Sequence, residues 1–201
     1  MIRNLIKFLF DRIAAFIVII LALPLFIVIP IIIVSGSKGP VFFRQKRVGR
    51  NGRLFTMYKF RSMELNDGSN TVTSSNDSRI TCSGSFLRKW KLDELPELFN
   101  VLSGDMSFVG PRPDVPGYAD KLEGEDRKIL LLRPGVTGPA TLKYLDEEEI
   151  LAKVLDPQHY NDEVIFPDKV RINLNYLEKF SFSGDIKIIF YTLIRKKIDE
   201  Y

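Results

Sequence analysis

The hydrophobic pattern sets the start of the chain apart from the rest. From Ile13 to Val34 no residue carries a charge or a hydrogen-bonding side chain over 22 positions, and about 20 apolar residues suffice for a helix to cross a bilayer. Pro24 stands in the middle of this run, where it lacks the N–H that would bond the carbonyl of Ile20 and bends the helix. Each arm, Ile13–Leu23 and Leu25–Val34, is then about 15 Å long, half the hydrocarbon thickness. Arg3, Lys7 and Arg12 precede the run, and Lys38, Arg44, Lys46, Arg47 and Arg50 follow it. Basic flanks prefer the cytoplasm, and both flanks qualify. Two structures fit equally: a kinked spanning helix, and a re-entrant helix hairpin that enters and leaves on one face. Nothing after Val34 resembles a signal-peptide cleavage site.

The pattern then changes period. Ser35–Pro40 is turn-rich, and Val41–Val48 and Arg53–Phe60 flank Asn51-Gly52, a strong hairpin signal. Leu65–Arg79 is polar and reads as a mobile loop, followed by a short helix from Ser85 to Trp90. Leu95, Leu98, Phe99 and Leu102 fall at i, i+3, i+4 and i+7, one apolar helix face, with Asp93 as N-cap and Gly104 as terminator. Charged helices are expected over Tyr118–Leu132 and Asp146–Leu155, and a third over Pro167–Phe180. A last helix, capped by Asp185, carries Ile186, Ile189, Phe190 and Leu193 on one face and Lys187, Arg195, Lys196 and Lys197 around it. That composition suits an interfacial amphipathic helix and a terminal helix on the core equally. The elements add up to an α+β fold, mainly helical with one small β-hairpin.

Composition narrows the chemistry. Cys82 is the only cysteine and His159 the only histidine, which excludes an intramolecular disulfide and the usual tetrahedral zinc set. His159 lies in a polar stretch and reads as a surface residue. With 29 basic and 25 acidic side chains the net charge is +4, too modest for a nucleic-acid stripe. Carboxylates, lysines and arginines must carry any reaction. Asp93-Glu94 at a helix start is the leading pair: the position favours negative charge as a cap, and also suits phosphate or a divalent cation. Arg88, five residues earlier, can reach toward Asp93 to hold a phosphate bidentately, or form a surface ion pair with the acids. Gly110-Pro111-Arg112-Pro113 fixes an arginine on stiff backbone. Glu147, Glu148 and Glu149 read as N-terminal charges on a wet helix face rather than metal ligands.

Asp93-Glu94-Leu95-Pro96, then Asn100 to Ser107, then Val109-Gly110-Pro111-Arg112-Pro113, resembles the signature of the bacterial sugar transferases, the monotopic phosphoglycosyl transferases. Tyr58-Lys59-Phe60-Arg61-Ser62-Met63 and Arg133-Pro134-Gly135-Val136-Thr137-Gly138 match as well, so the resemblance covers roughly residues 5–200. It implies transfer of a sugar 1-phosphate from a UDP-sugar to undecaprenyl phosphate, with release of UMP. Asp93 would be the nucleophile, forming a covalent phospho-sugar intermediate, and a ligand of magnesium or manganese. Glu94 would act as base or metal-orienting group. Lys59, Arg61, Arg88 and Arg112 would bind substrate, with Arg112 at the nucleotide.

The resemblance also implies the re-entrant form, broken at Pro24. Residues 1–36 would lie in the membrane, and 37–201 would form a cytoplasmic catalytic domain with interfacial helices, on the bacterial inner membrane. Where relatives carry serine before that proline, this chain has Leu23. The short length is similar to members that prime N-linked protein glycosylation with diacetylbacillosamine, and the expected partners are membrane lipid and later glycosyltransferases, with no nucleic acid. Two rivals stand beside this reading. A glycosidase would need its acids to flank the bond at about 5–9.5 Å, for which adjacent residues are poorly placed, and a membrane scaffold would use the acids only as a cap.

Overall fold

A computed structural model describes residues 2–64 and 78–199, with side chains from Leu5 onward. All but the last two residues of the expected polar loop Leu65–Arg79 lie outside the described residues, as does the side chain of Arg3.

The apolar run forms the second part of α1 (Ile2–Leu21) and most of α2 (Leu23–Gly36), two helices bent by 62° at their junction. Among the described residues no single helix is long and apolar enough to cross a membrane, although this bent pair has the length and composition to do so together. The bend is centred on Ala22 rather than Pro24. Pro24 falls in the first turn of α2, where a helix needs no backbone donor, and the Ala22 carbonyl accepts from Leu25 N and Phe26 N at 2.9 and 3.1 Å. No hydroxyl is required at position 23. A second proline, Pro30, lies inside α2. Ile13, Leu21, Ile27 and Ile31 are each more than 60 % exposed, an apolar surface far beyond what isolated surface residues supply.

Both ends of this bent pair are fastened to the same body. Near its start, Lys7 pairs with buried Asp185, which also accepts from Tyr176 Oη at 2.6 Å. Buried Asp11 accepts from Ser107 Oγ at 2.7 Å. At its end, Arg61 donates to the carbonyls of Lys38 and Ser37, each at 2.7 Å, and to Ser37 Oγ at 2.8 Å.

The hairpin forms as the sequence predicts. Strand β1 (Phe42–Val48) pairs antiparallel with β2 (Leu54–Phe60) in the register Val48↔Leu54. Its turn places Asn51 and Gly52 at φ 58° and 75°, the left-handed values that Asn-Gly tolerates. Helix α3 (Cys82–Lys89) is capped by Thr81 Oγ1, which accepts from Gly84 N at 2.9 Å. Lys91, at φ 55°, turns the chain into a 3₁₀ turn over Leu92–Glu94.

Helix α4 then runs Glu97–Ser103, with Pro96 at its N-cap and Gly104 (φ 96°) ending it. Asp93 therefore does not cap it, because the 3₁₀ turn and the proline intervene. The expected apolar face is only partly buried: Leu98 is inside, whereas Phe99 and Leu102 are exposed. Phe99 instead meets Phe26 of α2 at 5.2 Å between ring centroids. Asn100, 1 % exposed, ties α4 to β2 by donating to Thr56 O at 2.8 Å and accepting from Tyr58 N at 3.1 Å. Phe55, Met57, Val101, Met106 and Ala15 close the core between hairpin, α4 and α1.

Two three-residue strands escape the sequence pattern. Strand β3 (Ser107–Val109) pairs in parallel with β4 (Gly135–Thr137). Gly110 N donates to Thr137 O and Gly135 N to Pro111 O, at 2.9 and 2.7 Å. A Cβ on Gly110 or Gly135 would collide with the facing backbone. The Gly-Pro-Arg-Pro loop is thus seated against the Arg-Pro-Gly-Val-Thr-Gly segment.

The remainder is helical in shorter pieces than expected. Tyr118–Leu132 forms two 3₁₀ turns, Ala119–Lys121 and Asp126–Leu131, with Gly124 between them at φ 54°. After α5 (Pro139–Lys143), the helix expected over Asp146–Leu155 spans only Glu147–Leu151 (α6), and Leu155 is fully exposed. Helix α7 (Pro157–Tyr160), capped by Asp156, runs through a π turn into α8 (Phe166–Lys179). Helix α9 (Phe182–Leu193) is capped by Ser181, which accepts from Gly184 N; Asp185 is buried and does not cap it. Its exposed face holds Ile186, Phe190 and Leu193. Val109, Leu142, Tyr176 and Ile188 pack beneath β3 and β4.

Candidate active site

The turn between α3 and α4 carries Asp93 and Glu94 inward from one backbone segment, yet the two side chains meet opposite surroundings. Asp93 is 5 % exposed, and its Oδ1 is buried with no hydrogen-bond donor among the described residues. Burial, with repulsion from Glu94, pushes its carboxyl above the usual range against the pull of Lys59, Arg88 and Lys91. Glu94 is fully engaged. Its Oε1 accepts from Lys59 Nζ at 2.8 Å and from Arg112 Nη2 at 2.6 Å. Burial works to raise this carboxyl as well, but Arg112, Lys59 and Lys91 outweigh it and hold it well below the carboxylate range.

Glu97, in the first turn of α4, completes the cluster. It is 1 % exposed and lies 3.2 Å from Lys59 Nζ, so one lysine bridges two acids. Burial raises its carboxyl, opposed by Lys59. The helix pattern gives no hint of this role, since an acid at a helix start is ordinarily favoured by the dipole alone.

Arg112 reaches Glu94 from the Gly110–Pro113 loop, and a partner holds that loop. Arg47 of β1 donates to Pro113 O at 3.2 Å and to Gln45 Oε1 at 2.6 Å, while Val48 N donates to Asp114 O at 2.9 Å. Arg47 is thus a tie between the hairpin and this loop. Burial, and then repulsion from Arg112, lower its guanidinium to about 10. Asp114 beside it is raised by burial to about 6, against the pull of Lys169 and Arg47. Arg112 moves the other way, raised above its ordinary value by Glu94.

Among the other expected site residues, Arg88, in the last turn of α3, forms its ion pair with Glu148 of α6, at 2.5 Å, and not with Asp93 or Glu94. Glu147 next to it binds Lys169 through both oxygens at 2.7 Å. Two of the three acids read as a wet face are therefore paired, and Glu149 alone is exposed. Arg61 is 2 % exposed with both terminal nitrogens on the Ser37–Lys38 segment. These bonds fasten the end of the membrane-like segment to the body. His159 and Cys82 are exposed, as the sequence context of His159 suggests. Among the described residues no three His, Cys, Asp or Glu side chains converge as a metal cluster.

The result is a buried carboxylate with one oxygen left without a donor, beside a second carboxylate clamped by two cations. A free carboxylate oxygen can attack an electrophile or ligate a hard cation. The surrounding lysine and arginines suit an anionic, phosphoryl-bearing substrate.

Comparison with known proteins points the same way. Residues 2–197 match the bacterial sugar transferase family. Similar proteins include the UDP-glucose:undecaprenyl-phosphate glucose-1-phosphate transferase of Xanthomonas campestris pv. campestris, 38% identical over 94% of this chain and 38% of that protein. The UDP-N-acetylgalactosamine-undecaprenyl-phosphate N-acetylgalactosaminephosphotransferase of Aeromonas hydrophila is 35% identical over 91% of this chain and 41% of its own length. The undecaprenyl-phosphate galactose phosphotransferase of Salmonella typhimurium is 34% identical over 91% and 38%. The chain thus spans about two fifths of the length of these relatives.

Proposed function

The chain belongs to the bacterial sugar transferase family, and from that premise we propose that it transfers a sugar 1-phosphate from a UDP-sugar to undecaprenyl phosphate. The observation that carries the mechanism is the unpartnered, buried Oδ1 of Asp93 beside the doubly clamped Glu94. In the first half-reaction an Asp93 carboxylate oxygen attacks the phosphorus that bears the sugar. The bond from that phosphorus to the bridging oxygen breaks, and UMP leaves with the electron pair. In the second, a phosphate oxygen of undecaprenyl phosphate attacks the same phosphorus, the acyl-phosphate bond breaks, and Asp93 is regenerated. Splitting one transfer into two is the usual benefit of a covalent intermediate.

Glu94 takes the orienting role in this reading, because its accepting oxygen is already shared by Lys59 and Arg112. Arg112, on a loop braced by Arg47 and the β3–β4 glycines, meets the nucleotide, and Arg88 meets the transferred phosphoryl group. The Asp93 carboxylate would also hold magnesium, with manganese as a substitute, through the oxygen that does not attack, since hard cations take carboxylate oxygens. When bound, such an ion would neutralise charge on the phosphoryl oxygens.

We place residues 1–36 in the cytoplasmic leaflet of the bacterial inner membrane as a re-entrant pair. What supports this is that Lys7–Asp185, Asp11–Ser107 and Arg61–Ser37 fasten its two ends to one body, so both ends lie on one side. The exposed apolar face of α9 fits the same interface. Downstream glycosyltransferases would be the partners that consume the lipid-linked product.

The test is UMP release by the full chain in membrane vesicles, with a panel of UDP-glucose, UDP-galactose, UDP-N-acetylgalactosamine and UDP-N,N′-diacetylbacillosamine. UDP-sugar without undecaprenyl phosphate should add the mass of one phospho-sugar to the peptide holding Asp93. A glycosidase would release free sugar, a scaffold nothing, and a single displacement would leave no adduct. Any of these outcomes from active protein overturns the reading.

A further inference from the structure

The charge pairing around the turn raises a question about Arg88. Two cations bind the acids there: Lys59 holds Glu94 and Glu97, and Arg112 holds Glu94. Arg88 stands in the last turn of α3, just before the Asp93 turn, and both it and Lys91 draw the Asp93 carboxyl down, yet neither gives Oδ1 a hydrogen bond. Its Nη2 is on Glu148, and its Nη1 has only a 3.9 Å contact to Met63 Sδ.

Glu94 illustrates what happens to a carboxylate that such cations reach, for its oxygen is taken twice. A guanidinium four-fifths buried gains from a charged acceptor, and Asp93 Oδ1 is a buried acceptor with no donor. The anion that Arg88 binds is Glu148. Resting on the reaction proposed above, we infer that Glu148 is a positioning residue: it holds the Arg88 guanidinium away from Asp93, so that the carboxylate stays free to attack and Arg88 keeps its Nε and Nη1 for the phosphoryl oxygens.

The first turn of α6 is built to do this. Asp146 is bound by Lys197 at 2.9 and 3.0 Å, Glu147 by Lys169 at 2.7 Å through both oxygens, and Leu151 is buried. Glu148 is therefore presented from a turn fixed on both sides, across 60 residues of sequence from its partner. An ordinary surface ion pair contributes little to stability, so this role predicts a functional effect with almost no thermal one.

The experiment measures UMP release from UDP-sugar by the full chain in vesicles, under single-turnover conditions without acceptor. Glu148→Gln should slow the chemical step on the order of tenfold while the concentration of half-saturation changes by less than about threefold. Glu148→Asp should recover part of the rate, and the melting temperature of both variants should match wild type. In an Arg88→Ala background Glu148→Gln should add no further loss, because it acts through Arg88. An unchanged rate overturns the inference, as does the same loss without Arg88. Faster turnover at lower UDP-sugar concentration also overturns it, by making Glu148 a competitor of the substrate. If wild-type protein releases no UMP in this assay, the reaction reading fails and this inference with it, whereas normal wild-type release with an indifferent Glu148→Gln sinks the inference alone.

Discussion

Asp93→Asn and Glu94→Gln alter neighbouring carboxylates by one atom each, and the proposed reaction gives them opposite balances of stability and activity. Asp93 caps no helix, since Pro96 occupies that position for α4, and its Oδ1 has no donor to lose. Asparagine removes a buried charge and adds a buried amide, so stability should stay within about 1 kcal/mol of wild type. Activity should collapse, because the attacking oxygen is gone: a loss on the order of 10⁴-fold corresponds to about 5.4 kcal/mol of transition-state stabilisation. Glu94→Gln removes the shared counter-charge of Lys59 and Arg112. Breaking a fully buried pair costs roughly 3–5 kcal/mol, and the 39% exposure of the Arg112 side chain brings the expected loss down to about 2 kcal/mol. Melting curves and UMP release on the same preparations decide the matter. A Glu94→Gln protein as stable as wild type, or an Asp93→Asn protein that unfolds early or keeps more than about 1% of its activity, would refute this division of roles.

Four further expectations follow from single features. Asp114 is raised to about 6 by burial from an ordinary 3.8, so its contribution to stability is complete below pH 3.8 and is lost as pH rises through 6. Asp114→Asn should therefore raise the melting temperature at pH 8 by an amount equivalent to as much as about 3 kcal/mol, and by much less at pH 4.5; an equal shift at both would show that burial does not set this group. Arg61→Ala strands the Ser37 and Lys38 carbonyls and should cost about 3 kcal/mol, read as a fall of about 6–12 °C in melting temperature. Cysteines replacing Arg3 and Lys38 in a Cys82→Ser background should both be labelled from the cytoplasmic side only, and Pro24→Ala should shift some molecules toward spanning, since the continuous apolar run is about 33 Å long; one label from each side would end the re-entrant placement. Turnover should vanish in a chelator and return with magnesium, and full activity in EDTA would remove the metal from the mechanism.

What was legible in the sequence was what local chemistry alone determines. Asn51-Gly52 specifies its own left-handed turn, so the hairpin followed. β3 and β4 were illegible because three residues carry no alternation, and their pairing rests on glycines 25 residues apart that only meet in space. Helix α4 was half legible: its end at Gly104 is local, but its start depends on a 3₁₀ turn that the apolar spacing of Leu95 does not reveal.

Apolar periodicity has a deeper ambiguity, which the helices facing the proposed membrane expose. It marks positions that leave water, and a bilayer accepts them as readily as a core does. Phe99 and Leu102 of α4, and Ile186, Phe190 and Leu193 of α9, keep the helical spacing and yet lie outside, while Asp11, Glu97, Asn100 and Asp185 lie inside. The buried polar groups follow from this arrangement. A segment whose lipid-facing surface must stay apolar can be fastened to its domain only through its inner face, and there Lys7–Asp185 and Asp11–Ser107 do the fastening. The site obeys the same logic. Adjacency singles out Asp93 and Glu94, but which of them is free to react is decided by Lys59, Arg112 and Glu148, none of which their own segment encodes.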